Sequence, residues 1–245
     1  MTAALAAPGG DWPALREAAS APYRSAGRMA WGFARGKLGF DPIFRHVLRQ
    51  GLIAPQSRVL DIGCGQGLIA SLLIGANALA ARGLWPSGWA AAPRGARVTG
   101  IELVPRNIER ARAALGLEAA TFICGDLRST PFPAADAIVI LDVLHYLALP
   151  EQDEVLARVR AALPAGGRLL LRVGDAAAAA GFRLSQWADA AVSLLRGHRA
   201  PRRGRTLRAW IARLEALGFE VRSEPMSQGT PFANVLLIAQ VRVAG

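Results

Sequence analysis

The chain has 245 residues and is 52% hydrophobic, so it can build a sizeable core of its own. Two cysteines are too few for a disulfide framework or a four-cysteine zinc site, and three histidines without ligand spacing indicate no metal. The net charge of +11 does not by itself indicate a nucleic-acid partner, because all but one of the basic residues are arginine and a biased genome produces the same usage.

The N-terminal segment does not resemble an export signal. No cationic residue precedes its alanines, and the segment breaks at Pro8 and then turns acidic. The longest apolar stretch, 68–81, is short for a membrane span and holds Gly75 and Asn77. We therefore expect a cytoplasmic protein without a membrane span.

The first 55 residues are predicted to form an N-terminal helical cap. Helices are expected over 12–19, 23–38 and 41–52, and Pro42 suits the first turn of the third. A second domain is predicted over 56–245, because short β-branched and leucine runs alternate there with helical patterns. Its first five predicted strands are 57–62, 96–102, 119–126, 136–142 and 168–173, and the helices between them are 67–76, 105–115 and 151–163.

Segment 77–95 is interpreted as an insertion loop, because it is rich in glycine, proline and alanine and is long for such a connection. The chain closes with a helix capped by Thr206 and with two strands, 219–225 and 234–243. Only MSQGTPFA joins these strands, which is too short for a helical crossover, so they must run antiparallel. The whole pattern predicts an α/β fold, a three-layer sandwich around a mostly parallel sheet with an antiparallel last strand.

The stretch VLDIGCGQG, residues 59–67, joins the first predicted strand to a helix. In open α/β folds this turn lies at the carboxyl edge of the sheet, where ligands bind. A triphosphate loop requires Gly-Lys-Ser/Thr at the helix start, and Gly67 is followed by Leu68 and Ile69, so that loop is excluded. The dinucleotide fingerprint G-x-G-x-x-G is not met either, which weakens an NAD-dependent oxidoreductase without excluding it.

Three acids stand at the ends of three predicted strands. Asp61 lies two residues before the first glycine, where a carboxylate would repel a pyrophosphate and would suit the cationic end of a ligand. Glu102 is placed to bind two ribose hydroxyls, as acids are in dinucleotide folds. Asp126 is placed to accept a hydrogen bond from an exocyclic adenine amine. Together these acids indicate a nucleoside that carries positive charge.

The motifs VLDIGCGQG, GIELVPRNIERAR and GDLR, followed by AIVILDVLHYL and LPAGGRLLL, resemble the successive motifs of class I S-adenosylmethionine-dependent methyltransferases. The resemblance implies a Rossmann-like, seven-stranded sheet with its last strand antiparallel, and S-adenosyl-L-methionine as the cofactor. The cofactor-binding residues that it implies are Asp61, Gly63, Cys64 and Gly65 on the methionyl side, Glu102 at the ribose, Leu103 against the adenine, Asp126 and Leu127 at the adenine edge, and Asp142 near the methionyl amino group or the acceptor.

Methyl transfer from a sulfonium depends above all on alignment, and an oxygen acceptor usually also needs a base. In DVLHYL, His145 and Tyr146 are candidate catalytic residues, because an imidazole with a pKa of ~6.5 can deprotonate or orient a phenol. A histidine that only forms local hydrogen bonds is the alternative. Arg172, Asp175 and the polar segment 225–235 are further candidates for the acceptor wall.

The basic patch 196–208 has three interpretations: a solvated helix end, an RNA site, or a docking site for an acidic carrier protein. No aromatic residue interleaves its arginines, which disfavours nucleic acid. The segments FARGKL, LDVLHY and SQGTPFANV resemble those of small bacterial methyltransferases that accompany aryl-polyene pigment clusters, and this implies an aromatic, carrier-bound acceptor.

The sequence thus predicts a methyltransferase for a small or acyl-carrier-bound acceptor, with O-methylation favoured. A non-catalytic S-adenosylmethionine-binding or RNA-binding protein is the alternative.

Overall fold

A computed structural model describes residues 11–116, 118–174, 205–227 and 234–243. The strands in these ranges are β1 (Arg58–Ile62), β2 (Arg97–Glu102), β3 (Thr121–Cys124), β4 (Ala137–Leu141), β5 (Arg168–Gly174), β6 (Phe219–Pro225) and β7 (Asn234–Val241). They form one sheet in the order β3-β2-β1-β4-β5-β7-β6. Strands β1 to β5 are parallel, and β7 runs antiparallel to both of its neighbours. The predicted seven-stranded sheet with an antiparallel last strand is therefore confirmed.

Helices cover both faces of this sheet. In the described ranges they are α1 (Asp11–Ser20), α2 (Arg28–Phe40), α3 (Pro42–Arg49), α4 (Leu68–Ala81), α5 (Pro105–Leu115), α6 (Leu149–Ala162) and α7 (Leu207–Ala216). Side chains alternate along the strands, so Val59 belongs to the core that includes α1 to α5, whereas Leu60 belongs to the core that includes α6 and α7. The result is the predicted three-layer sandwich. None of these helices is long and apolar enough to cross a membrane.

The predicted insertion loop begins later than expected. Helix α4 continues to Ala81, because NALAA (77–81) consists mostly of good helix formers and buries Leu79 and Ala80 in the core. The connection to β2 therefore starts at Arg82 rather than at residue 77. It is held against the helix by Arg94, whose guanidinium donates a hydrogen bond to the carbonyl of Ala80 over 2.7 Å.

Local rules explain the ends of three helices. The predicted helix 23–38 is broken at Gly27, whose φ of 100° is not helical, so a 3-10 turn (Ala21–Arg24) precedes α2. Asp41 caps α3 by accepting a hydrogen bond from the backbone of Ile43. Thr206 caps α7 as predicted, through the backbone nitrogen of Ala209.

The N-terminal helices are bound to the glycine loop and to α4. The hydroxyl of Tyr23 donates to the carbonyl of Gln66 over 2.8 Å, and the Gln66 amide donates to the carbonyl of Ala30 over 2.9 Å. Ser71 on α4 donates to the carbonyl of Ala19 over 2.6 Å. The first three helices therefore share one core with α4 and help to fix the loop that follows β1.

Candidate cofactor site

The carboxyl ends of the five parallel strands bring five charged side chains into one row. In sheet order they are Asp126 after β3, Glu102 ending β2, Asp61 on β1, Asp142 after β4, and Arg172 on β5. Because neighbouring strands lie about 4.8 Å apart, the row from Asp126 to Asp142 spans ~14 Å. A nucleoside with an amino-acid tail has a comparable length.

The glycines of the loop after β1 all have positive φ, with values of 72° at Gly63, 56° at Gly65 and 80° at Gly67. A Cβ on Gly63 would overlap the side chain of Val143, and one on Gly67 would meet the ring of Phe122 at 2.8 Å. A Cβ on Gly65 would meet no heavy atom within 4 Å. Of these three glycines, Gly65 is therefore the one whose open side leaves room for a ligand.

Two alanine substitutions should separate the structural glycine from the ligand-facing one. Gly63→Ala is expected to lower the free energy of unfolding by ~2 kcal/mol or more, because the methyl group overlaps Val143 at a left-handed position. Gly65→Ala should cost only about 1 kcal/mol of stability. Its methyl group should instead weaken S-adenosylhomocysteine binding about tenfold, because it enters the open side. Urea unfolding and calorimetry measure the two effects, and parallel losses in both variants would contradict this assignment.

Asp61 is a buried acid, only 4% exposed. Burial, followed by the charge of Glu102, raises its pKa to about 7. Among the described residues, none donates a hydrogen bond to its carboxylate. A buried carboxylate in this situation gains most from a cationic partner. The ammonium group of a methionyl tail is such a partner, so the residue fits the predicted ligand.

Glu102, the predicted ribose-binding residue, orders the loop that follows β1. Its Oε2 accepts a hydrogen bond from the backbone of Gly65 over 2.9 Å, and its Oε1 accepts one from Val104 over 2.9 Å. Each carboxylate oxygen retains a second lone pair, which leaves capacity for ribose hydroxyls. The neighbouring Leu103 is 50% exposed and offers an apolar surface to an adenine ring.

Asp126 is paired with Arg128, the cation two residues further along the chain. The Nε of Arg128 lies 3.0 and 2.9 Å from the two carboxylate oxygens of Asp126, and Arg128 also bonds Glu151 over 3.1 Å. Two carboxylates thus balance the only basic residue in GDLR. The carbonyl of Leu127 accepts a hydrogen bond from Arg158 over 2.7 Å. This pairing leaves fewer free lone pairs on Asp126 for the predicted adenine contact.

Cys64 directs its side chain into the core. The thiol is buried, and its sulfur lies 2.7 Å from the position that a Cβ on Gly100 would take. Burial, and then the charge of Asp61, raises the pKa of the thiol well above its ordinary value. Only the backbone of Cys64 is therefore available for its predicted contact with the methionyl side of the cofactor.

Asp142 has the left-handed conformation, with φ of 59°. Aspartate is among the residues that tolerate this region, although such a position usually costs ~1–3 kcal/mol. Its carboxylate is held by Arg172, which donates from Nε over 2.9 Å and also from Nη2. The prediction that Arg172 faces the acceptor is wrong, because its side chain is only 1% exposed and its guanidinium is bound to carboxylates.

His145 and Tyr146 lie in the 3-10 turn after β4 (Leu144–Tyr146). Their ring centroids are 4.1 Å apart, and both side chains are half-buried. Val143, which precedes them, fills the space beside Gly63. This contact brings both candidate catalytic residues to the edge that carries the acids.

Part of the predicted acceptor wall belongs to the β6–β7 hairpin. Met226 is buried, and the hydroxyl of Ser227 donates to the carbonyl of Asn234 over 3.1 Å. Asp175, residues 228–233 and most of the patch 196–208 lie outside the described residues. In the part of the chain that the structure does describe, no group of three or more histidine, cysteine, aspartate or glutamate side chains could hold a metal ion.

Sequence reasoning missed the connections between the N-terminal helices and the site. Tyr23 reaches Gln66, 43 positions away, and Asp41 reaches Arg172, 131 positions away. The one available signal was Arg172 itself, because an arginine inside the apolar run RLLLRV needs a partner when the strand is buried.

The sheet order, the glycine loop and the row of acids together define a methyltransferase fold. The family model for the methyltransferase domain matches residues 59–167, which hold the glycine loop, the row of acids and, apart from Arg58, the strands β1 to β4. These residues are just under half of the chain, and they support a resemblance to the class I S-adenosylmethionine-dependent methyltransferases. The predicted family resemblance is therefore confirmed, and the cofactor of this family is S-adenosyl-L-methionine.

Curated relatives match over about half of the chain. A malonyl-[acyl-carrier protein] O-methyltransferase from Anoxybacillus flavithermus is 27% identical over 108 residues, which are 44% of this chain and 36% of the relative. The aklanonic acid methyltransferase DauC from a Streptomyces species is 30% identical over 132 residues, 53% of each chain. The chain thus spans about half or less of the length of these relatives.

Solved structures show the same fold over most of the chain. An O-methyltransferase family protein from Burkholderia thailandensis superposes with a TM-score of 0.61 at 19% identity, covering 91% of this chain and 63% of that one. Magnesium protoporphyrin IX methyltransferase from Synechocystis, solved with bound S-adenosylhomocysteine, gives a TM-score of 0.57 at 18% identity and covers 88% of each chain.

Proposed function

We propose that this chain transfers the methyl group of S-adenosyl-L-methionine to an oxygen atom of a small or carrier-bound, aromatic acceptor. The observation that carries the proposal is the row Asp126, Glu102, Asp61 and Asp142 beside the open side of Gly65. It supplies carboxylates for an amine, a ribose and an ammonium group. The basic residue within GDLR, Arg128, is already paired with acids, so this part of the row does not favour a pyrophosphate.

The chemistry asked of the protein is mainly alignment. When bound, the cofactor supplies a methyl group on a sulfonium, which makes the donor reactive without further activation. Holding donor and acceptor in line can contribute ~7–11 kcal/mol to the lowering of the barrier. We assign the binding of the methionyl side to Asp61 and to the loop backbone, and the binding of the ribose to Glu102.

The acceptor proton requires a base if the acceptor is a phenol. His145 is our candidate, because its turn lies beside the glycine loop through Val143. Tyr146 packs against its ring and would orient it. The names of the curated relatives, a malonyl-[acyl-carrier protein] O-methyltransferase and an aklanonic acid methyltransferase, support a small or carrier-bound acceptor. An aromatic acceptor of the aryl-polyene type remains a prediction from sequence resemblance.

An acceptor screen tests this proposal. S-adenosylhomocysteine release is measured with phenols, with carboxylic acids and with carrier-bound aromatic acyl groups. We expect turnover with a phenolic acceptor, and product mass plus a methoxy signal by NMR should show O-methylation. His145→Gln should then lower kcat about a hundredfold without changing S-adenosylhomocysteine affinity. The same substitution at a histidine on α3, His46→Gln, is the matched control and should leave kcat unchanged. Turnover only with carbon or nitrogen acceptors, or an unaffected His145 variant, would contradict these assignments.

A further inference from the structure

Arg172 connects the N-terminal helices to the carboxyl edge of the sheet. Its Nη1 donates to Asp41 Oδ1 over 2.5 Å and its Nη2 to Asp41 Oδ2 over 2.8 Å. The other edge of the guanidinium, through Nε and Nη2, binds both carboxylate oxygens of Asp142. Asp41 lies between α2 and α3, whereas Asp142 follows β4. One buried side chain therefore bridges two parts of the chain that are far apart in sequence.

The two ends of this bridge differ in exposure. The Asp41 side chain is 9% exposed and the Asp142 side chain is 34% exposed, so the bridge opens toward solvent only at Asp142. Lys37 adds a second cation, 2.8 Å from Asp41 and 4.0 Å from Asp142. The two carboxylates balance the charges of the two cations. Because Arg172 interacts with Asp41 as well as with Asp142, it neutralises Asp142 less than it would in a pair of its own.

We propose that Asp41 and Arg172 are positioning residues that act through Asp142 on the amino-acid end of the cofactor. This inference rests on the proposed function. Arg172 holds Asp142 in its left-handed conformation, and Asp41 keeps the guanidinium from neutralising the carboxylate of Asp142. The junction of α2 and α3 thereby contributes to cofactor affinity although it contains no predicted ligand-binding residue. Loss of Asp41 makes the network net positive and less attractive to an ammonium group.

The test compares two ligands that differ in the amino-acid tail. S-adenosylhomocysteine carries the ammonium group, and 5′-methylthioadenosine has the same nucleoside but lacks the tail. Asp41→Asn is the variant of choice, because asparagine still caps α3. We expect S-adenosylhomocysteine affinity to fall about tenfold, as is usual for coupling between sites, and 5′-methylthioadenosine affinity to stay unchanged. A general structural defect would weaken both ligands equally and would overturn the proposal.

A double-mutant cycle shows whether Asp41 acts through Asp142. In an Asp142→Asn background, the further change Asp41→Asn should have no effect on S-adenosylhomocysteine affinity, whereas additive losses would overturn the proposal. Asp136→Asn is the matched control. Asp136 also forms a forked pair with an arginine, Arg58, but at the opposite end of β4. It should leave both affinities unchanged.

Lys37→Gln keeps the proposal testable if Asp41→Asn does not fold. The Lys37 side chain is 38% exposed, and its removal leaves the fork of Arg172 intact while making the network net negative. S-adenosylhomocysteine affinity should then rise about twofold with 5′-methylthioadenosine unchanged. No change, or a loss, would overturn the proposal. If the wild-type chain binds neither ligand, the proposed function itself fails, whereas wild-type binding with an unaffected ratio in the variants refutes only this inference.

Discussion

Asp61→Asn is expected to weaken S-adenosylhomocysteine binding a hundredfold or more while making the free protein more stable at neutral pH. Removing one partner of a buried ion pair usually costs about 3–5 kcal/mol, which accounts for the loss of affinity. The affinity for 5′-methylthioadenosine, which has no ammonium group, should change little. Wild-type affinity for S-adenosylhomocysteine should also fall below pH 7, because the pKa of Asp61 is raised to about 7 and the protonated acid cannot pair with a cation.

The stability effect follows from the same raised pKa. Because the folded chain holds this proton more tightly than the unfolded chain, the stabilisation is complete below about pH 4 and is lost as the pH rises through about 7. The stabilisation lost between these pH values is on the order of 4 kcal/mol. Asparagine avoids this loss because it carries no titrating proton. Urea unfolding at pH 5 and pH 8 measures this loss of stability, with Asp136→Asn as the control. The same pH dependence in wild type and variant would refute a buried, protonated Asp61.

Arg172→Met is expected to give the largest loss of stability, about 3–5 kcal/mol in the free energy of unfolding at pH 7. The substitution leaves the carboxylates of Asp41 and Asp142 without their shared cation. Burial tends to raise the pKa of Asp41, but the hydrogen bonds and charge of Arg172 outweigh it and hold this pKa below its ordinary value. In wild type the contribution of Asp41 is therefore present at neutral pH and is lost as the pH falls through its lowered pKa.

In the variant, burial is no longer opposed by Arg172, so Asp41 should bind a proton at a higher pH than in wild type. The deficit in stability should accordingly shrink between pH 7 and pH 4. Arg58→Met is the matched control, because its pair with Asp136 is exposed to solvent and should contribute little to stability. Urea unfolding across this pH range provides the measurement. A deficit of less than 1 kcal/mol for Arg172→Met would show that the bridge does not stabilise the fold.

The sheet was predictable because each of its strands has a local sequence signal. Runs such as DAIVILD alternate with helical patterns, and the short MSQGTPFA link forces the last two strands to be antiparallel. The row of acids was predictable for the same reason, since Asp61, Glu102 and Asp126 each stand at or near a strand end. Parallel strands then bring these side chains to one edge without further information.

Contacts between distant segments were not predictable in this way. Nothing in the sequence near Asp41 indicates a partner 131 positions away, and Pro42 signals only the start of a helix. The same holds for Tyr23 and the carbonyl of Gln66. Packing also decides how a loop residue is used, so the Cys64 side chain turns to Gly100 rather than outward.

Calorimetric titration of the purified chain with S-adenosylmethionine, S-adenosylhomocysteine and NAD tests the central claim most directly. It should be repeated on Glu102→Ala, with thermal unfolding to verify that this variant is folded. We expect the first two ligands to bind and NAD not to bind, and we expect Glu102→Ala to lose the affinity for both adenosyl compounds. Binding of NAD in their place, or no binding of either adenosyl compound, would contradict it.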